Sequence, residues 1–527
     1  MADLLITNAR IWTNDAAEPW PECALIRDGT FAFIGRAADI NVPSGTRSYD
    51  ARGRLVVPGF VDGHAHVLGT GAAMRSVDLK GVTSPEEAGA RVRERVASTP
   101  AGGWVRGAGW DQNDWEGARF PDRYMLDAAA PEHPVVLNHT SGHCIWVNSA
   151  ALRAAAITRS TVAPYGGVID IDDGGEPTGI LRDTAAKLVT SVIPAPSPTE
   201  RVAALSEAIA HAHRLGVTGA HAMDVGRGEY QAMLALRDSG KLRLRLRAFM
   251  SAERLDEWFE RNLRTGDGDA WLRVGGVKFY ADGALGSLTA WMLDPYEGTA
   301  DTGLALQPIE ELEDGVRRCL AHGLAPAVHA IGDCANREVL NMFERVRDLA
   351  PELPRRIEHA QLLTADDLPR FAALGVTASV QPIHATQDMH KVDRAWGDRG
   401  RFAYAFRSLL ASGANVAFGS DTPVETMDPI AGLHAAVTRR RADGEPPGGW
   451  YPDERVGIED AIRAYTSGCW RVVREEGRIG RVAEGYAADC VVLSQDPLAQ
   501  GDPMRILDAR VDVTIAGGEI VFEREPA

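Results

Sequence analysis

Hydrophobic and polar residues alternate with a period of two at both ends of the chain, which is strand patterning. Residues 4–12 predict one strand. Residues 23–26 and 31–35 flank the turn Arg27-Asp28-Gly29-Thr30 and predict a hairpin. Residues 489–493, 511–515 and 520–522 have the same character, with a turn at Ala516-Gly517-Gly518-Glu519. Two β-rich ends around a different middle predict a small β-sandwich domain built from residues 1–57 and 475–527. Two unrelated terminal hairpins are the alternative.

Residues 58–474 alternate short apolar runs with helical spacing, as at 201–215, 309–322 and 336–349. Strand, helix, strand in repetition implies parallel pairing. The first strand candidate ends at Gly63-His64-Ala65-His66. The others are 217–221, 242–249, 274–280, 325–329, 356–359, 376–381 and 416–421. This number of units predicts an α/β fold with a closed (β/α)8 TIM barrel. The stretch between the first two strands is far too long for a simple connection. It carries strand or helix signals of its own at 135–138 and 147–152, so residues of about 70–195 predict an inserted subdomain.

Composition narrows the function classes. Of 527 residues, 45% are hydrophobic and 24% charged, which excludes a disordered or fibrous chain. No run of about 20 apolar residues suggests a membrane span. A net charge of −17 argues against nucleic acid as a partner. Residues 241–247 are basic, but lysine and arginine alternate with leucine there, which reads as a strand with one buried face. Cys23, Cys144, Cys319, Cys334, Cys469 and Cys490 are scattered without a CxxC pair, and no basic, then apolar, leader opens the chain. Both point to reduced thiols and a cytoplasmic protein. A homodimer is the oligomeric expectation.

Candidate chemistry gathers at the strand ends. His64 and His66, two apart on a strand, point to the same side about 6–7 Å apart and can converge on one metal ion. Taken alone, they are equally two polar residues at a strand end. Lys278 lies near the end of the fourth strand, His329 ends the fifth, His359 the sixth and Asp421 the eighth. In a barrel these ends share one face. A strand-end histidine is often a hydrogen-bonded core residue, and a strand-end aspartate often caps a helix. A lysine inside an apolar strand is harder to explain structurally, because burying an unpaired ammonium is unfavourable. Jointly these residues predict a metal site.

The pattern resembles the amidohydrolase superfamily through PGFVDGHAH at 58–66 and the split β domain. A narrower likeness is to its YtcJ-like branch, amidohydrolase family 3, which includes N-substituted formamide deformylase. SGHCIWVNS (141–149), GEPTGILR (175–182), VKFYADGALGS (277–287), VHAIGD (328–333), IEHA (357–360) and GSDTP (419–423) carry it across nearly the whole chain. The resemblance implies two metals, with His64 and His66 on the first and His329 and His359 on the second. Neutral imidazole suits Zn2+, and other divalent ions are possible. Burial and nearby cations favour the neutral amine of Lys278, which can add CO2 to become a bridging carbamate (N6-carboxylysine). An unmodified lysine paired with Asp282 is the alternative. Asp421 would ligate the first metal, act as general base toward a bridging hydroxide and return the proton to the leaving nitrogen. The second metal would polarise the carbonyl.

For the substrate, a small-molecule amide, the candidates are Trp110, Trp115, His143 and Trp146 in the insertion and Tyr280, Trp291, Gln381 and His384 after strand ends. His143 lies in a family-like phrase and leads among them, and packing is the alternative role for each aromatic. His221 is either pocket-facing or structural, and Arg182 is an anchor for the insertion. Three readings follow. The first is a binuclear hydrolase of a non-peptide C–N bond, such as an N-formyl or N-acyl amine. The second is a mononuclear deaminase or cyclic-amide hydrolase in which Lys278 is unmodified and His359 meets substrate. The third is a non-catalytic scaffold, which is expected to have lost ligands.

Overall fold

The computed structural model describes residues 3–15, 20–499 and 501–525. Residues 4–12 are not one strand. Leu4–Thr7 and Arg10–Ile11 lie in different sheets, because the chain turns at Asn8, whose φ is 48°. Leu4–Thr7 joins Cys23–Arg27, Thr30–Gly35 and Arg47–Asp50 in a four-stranded sheet. Arg10–Ile11 joins Leu55–Pro58, Cys490–Leu493, Val511–Ala516 and Glu519–Glu523. Ile6, Ile26 and Phe31 of the first sheet and Ile11, Val492 and Ile515 of the second share one buried cluster, so the two sheets form a sandwich. The hairpin turns on Asp28 and Gly29, both at positive φ, as a two-residue turn matched to strand twist requires.

The barrel consists of Phe60–Ala65, Val217–Val225, Arg245–Ser251, Leu272–Tyr280, Pro326–Ala330, Arg355–His359, Val376–Val380 and Val416–Phe418, paired in parallel in that order. The last strand is shorter than its apolar run suggested, which leaves Asp421 in the following loop at φ 61°. Side chains and loop backbone close the seam between first and last strands. Asp421 N donates to His64 O at 2.7 Å and His66 N to Thr422 O at 2.9 Å. The Asp62 carboxylate takes Ser420 N at 2.9 Å and Ser420 Oγ at 2.5 Å. A Cβ on Gly419 would lie 2.4 Å from His64 N, so only glycine allows this approach.

Residues 71–204 form a second compact unit. Its six-stranded sheet runs Gly167–Ile171, Pro177–Asp183, Cys144–Val147, Val135–His139, Val105–Trp110, Val77–Asp78. The apolar stretch at 147–152 divides into the end of one strand and the helix Ser149–Ala154, whose N-cap Asn148 accepts from Ala151 N.

The basic strand corrects a simple expectation. Leu242, Leu244 and Leu246 are buried, but so are Arg245 and Arg247, because a barrel strand is covered on both faces. Each arginine grips a carboxylate in bidentate fashion: Arg245 holds Asp489 at 2.7 and 2.9 Å, and Arg247 holds Glu475 at 3.0 and 2.6 Å. Burial acts to raise the Glu475 pKa, and Arg247 outweighs it, leaving the group below the usual 4.5. A depressed carboxylate contributes stability that is present above its unfolded pKa and lost as pH falls through the folded one. Glu475→Gln is therefore expected to destabilise the chain by about 3–5 kcal/mol at neutral pH. Thermal melts should show that deficit shrinking as pH drops below the carboxylate range, and a deficit constant with pH would refute the linkage. Among the described residues, no helix is long and apolar enough to cross a membrane.

Candidate metal centre

At the C-terminal ends of the barrel strands, His64, His66, Lys278, His329, His359 and Asp421 line one cavity of about 350 Å3, together with Tyr280, Gln361 and His384. Asp421 Oδ1 lies 3.4 Å from His64 Nε2 and 3.3 Å from His66 Nε2. That is the edge of a tetrahedron around an ion with bonds of about 2.1 Å. The His359 ring centroid is 4.8 Å from that of His64 and 4.6 Å from that of His329. His359 (φ 72°) and Asp421 (φ 61°) both sit in the left-handed region, an unfavourable conformation that turns them into the cavity.

The histidine tautomers are set by their neighbours. His64 Nδ1–H donates to Glu358 Oε2 at 2.6 Å, His359 Nδ1–H to Gln381 Oε1 at 2.9 Å, and His329 Nε2–H to Gly283 O at 2.9 Å. Each ring keeps one lone pair, in the arrangement by which acceptors orient metal-ligating histidines. Burial, then the nearby Lys278, pushes His64 well below 6.5 and His329 to about 4. Burial and the facing His329 do the same to His359. Burial would raise Asp421, but a hydrogen bond with His66 and the fields of His64 and His384 hold it below the carboxylate range. Lys278 is 1% exposed. Burial brings it down to about 8, with Glu358 and Asp421 opposing and Arg356 assisting. Neutral imidazoles beside an ionised carboxylate are a donor set that fits a borderline divalent cation. Asp282, the alternative partner for Lys278, is occupied by the backbone N–H groups of Trp291, Ile331 and Gly332 at 2.8–3.0 Å.

Sequence reasoning missed Glu358. It is fully buried and bound to Arg356, whose Nη2 also donates to Gly63 O and Ser379 Oγ at 2.7 Å. Arg356 Nη1 donates to His221 Nδ1 at 2.9 Å, which makes His221 a buried support rather than a cavity residue. The overlooked signal is the pair of charges at alternate positions, Arg356 and Glu358, in a strand that ends in histidine. Glu358→Gln is expected to weaken divalent-metal affinity about 10–100-fold with the fold retained. Chelator competition measures it, and unchanged affinity would remove Glu358 from the account.

The substrate candidates separate. Tyr280 and His384 line the cavity. Gln381 accepts a hydrogen bond from His359 Nδ1 at 2.9 Å. Trp110 is a packing residue, since it is fully buried among Trp115 and Trp146 and donates through Nε1 to Leu137 O. Trp115 and Trp146 belong to the same core. His143 is an exposed side chain of the 71–204 unit, with Nδ1 2.9 Å from Asp183 Oδ1. Arg182 is anchored on Asp170. Trp291 contributes backbone contacts to Asp282 and Cys334. The expected aromatic lining reduces to Tyr280, and Ala284, Leu285, Ile331 and Val424 supply the apolar wall.

Residues 47–522 match the model of the amidohydrolase family. The YtcJ protein of Bacillus subtilis is 33% identical, over 95% of this chain and 96% of its own. N-substituted formamide deformylase of Arthrobacter pascens is 28% identical over 99% of both chains. A solved metal-dependent hydrolase from Pyrococcus horikoshii superposes with a TM-score of 0.80 at 29% identity, covering 95% of this chain and 99% of that one.

Proposed function

The chain belongs to the amidohydrolase family, and from that premise we propose that it hydrolyses a non-peptide C–N bond in a small amide, N-formyl or N-acyl amine, using two divalent cations, in the first instance zinc. The observation that carries this reading is the convergence of His64, His66, Lys278, His329, His359 and Asp421 on one cavity, with the ring tautomers set to leave lone pairs. When bound, the cations supply Lewis-acid polarisation of the carbonyl and lower the pKa of water. His64 and His66 would hold the first and His329 and His359 the second, and Lys278, once carboxylated by CO2, would supply an anionic ligand. Asp421, ionised and beside His64 and His66, accepts the proton of the attacking water and delivers it to the leaving nitrogen, which departs poorly unless protonated. Ala284, Leu285, Ile331 and Val424 take the apolar substituent, and Tyr280 closes one wall. The similarity to N-substituted formamide deformylase supports the N-formyl and N-acyl classes. We place the enzyme in the cytoplasm, supported by cysteines that are all unpaired, as a homodimer acting on small molecules rather than on nucleic acid or membrane.

The test is a hydrolysis screen of N-formyl, N-acyl, cyclic-amide and carbamate compounds with the zinc-loaded enzyme and a chelated control. Chelator-sensitive release of amine from an N-formyl or N-acyl amine supports the proposal, and no release from any class contradicts it. The second reading, a one-ion deaminase or cyclic-amide hydrolase, draws on one observation: His64, His66 and Asp421 by themselves have the spacing of a closed donor set. A bound-metal ratio of one rather than two would favour it.

A further inference from the structure

Strand-end reasoning assigned His384 to substrate, and its surroundings in the structure point elsewhere. His384 lies on the helix Pro382–Gln387, just past the seventh barrel strand. It is 9% exposed and lines the same cavity as the metal-binding residues. Its Nε2 is buried without any hydrogen-bond partner. A polar nitrogen in that condition is unfavourable unless something supplies the missing interaction. Its nearest charged neighbour is Asp421, with Oδ2 4.0 Å away, while the other carboxylate oxygen faces His64 and His66 at 3.3–3.4 Å. Asp421 therefore presents one oxygen to each side of the cavity. The His384 ring is parallel to that of His359, 11° between planes and 6.3 Å between centroids. The donor atoms of His359, His384 and Asp421 all lie within 4.8 Å of one another. His359 is oriented by Gln381, so its free lone pair is Nε2. A group that merely hydrogen-bonded Asp421 would sit closer than 4.0 Å. The gap leaves room for an ion between them.

We propose that His384 is a direct ligand of the second cation, beside His359, and that Asp421 spans both ions through its two carboxylate oxygens. The inference rests on the two-cation reading above, and its test reads metal rather than turnover, so failure of the amide screen leaves it standing. Full-length chain stripped by chelator is titrated with Co2+ in bicarbonate buffer. Bound metal and visible absorption are followed, and circular dichroism monitors the fold. Wild type should bind two ions. His384→Gln should keep the first and weaken the second by more than the roughly 10–100-fold expected from losing an outer partner. His384→Asp, which restores an oxygen donor, should recover the second ion with an altered cobalt spectrum. Two ions bound by His384→Gln with wild-type affinity and spectrum would overturn the proposal. So would a single ion in wild type, or loss of the second ion in both variants alike, which would mark a purely structural role.

Discussion

Asp421→Asn is expected to leave a folded chain that has lost about 10²–10⁴ of its hydrolytic rate. The fold should survive for two local reasons. The backbone N–H that Asp421 gives to His64 O at the barrel seam is retained by asparagine. Asparagine also tolerates the left-handed φ of 61°. The rate should fall because an amide cannot take up the proton of the attacking water, and so has none to return to the leaving nitrogen. Asp421 starts in the form that can accept a proton, because His66, His64 and His384 hold it ionised against its own burial. The measurement is amine release at saturating substrate, with melting temperature as the control. Near-normal rates in a folded variant would assign the general base elsewhere.

Lys278→Met is the second large effect. Methionine is close to lysine in length and lacks the amine, so the barrel should fold while the proposed carbamate cannot form. The amine is brought down to about 8 chiefly by burial. The neutral form, which adds CO2 and loses a proton to become a carbamate, grows as pH rises toward that value and dominates above it. Bicarbonate-dependent metal loading of wild type should accordingly increase up to about pH 8 and then level off. Labelled with 13CO2, wild type should give a carbamate carbon signal that Lys278→Met lacks, and the variant should lose most turnover and the second ion. A wild-type chain that loads two ions in CO2-free buffer would show that Lys278 works unmodified.

Much of this architecture is legible in the sequence, and the failures have identifiable causes. The barrel and sandwich follow from periodicity, since strands with period two and helices between them admit few arrangements. The hairpin at Asp28-Gly29 is readable because only a few residues accept its backbone. What periodicity cannot show is that a barrel strand has no solvent face. That is why Arg245 and Arg247 read as exposed when each is buried against a carboxylate more than two hundred positions away. Strand parity likewise fails at His359, where a positive φ turns the ring to the mouth while Glu358 remains inside, under His64. Trp110 looked like pocket lining because an aromatic run in an insertion has the same composition whether it faces a ligand or a core. His384 was visible only as a histidine beyond a strand; its unpartnered nitrogen is a three-dimensional fact.

In the proposed centre, residues far apart along the chain enclose a pair of ions at one end of the barrel. Zinc-edge anomalous diffraction from crystals grown with zinc and bicarbonate measures this directly. Two anomalous peaks are expected roughly 3.5–4 Å apart, one against His64 and His66 and one against His359, with the Lys278 side chain reaching between them. A map without anomalous density in that cavity, or with the Lys278 nitrogen directed away from it, would contradict the account.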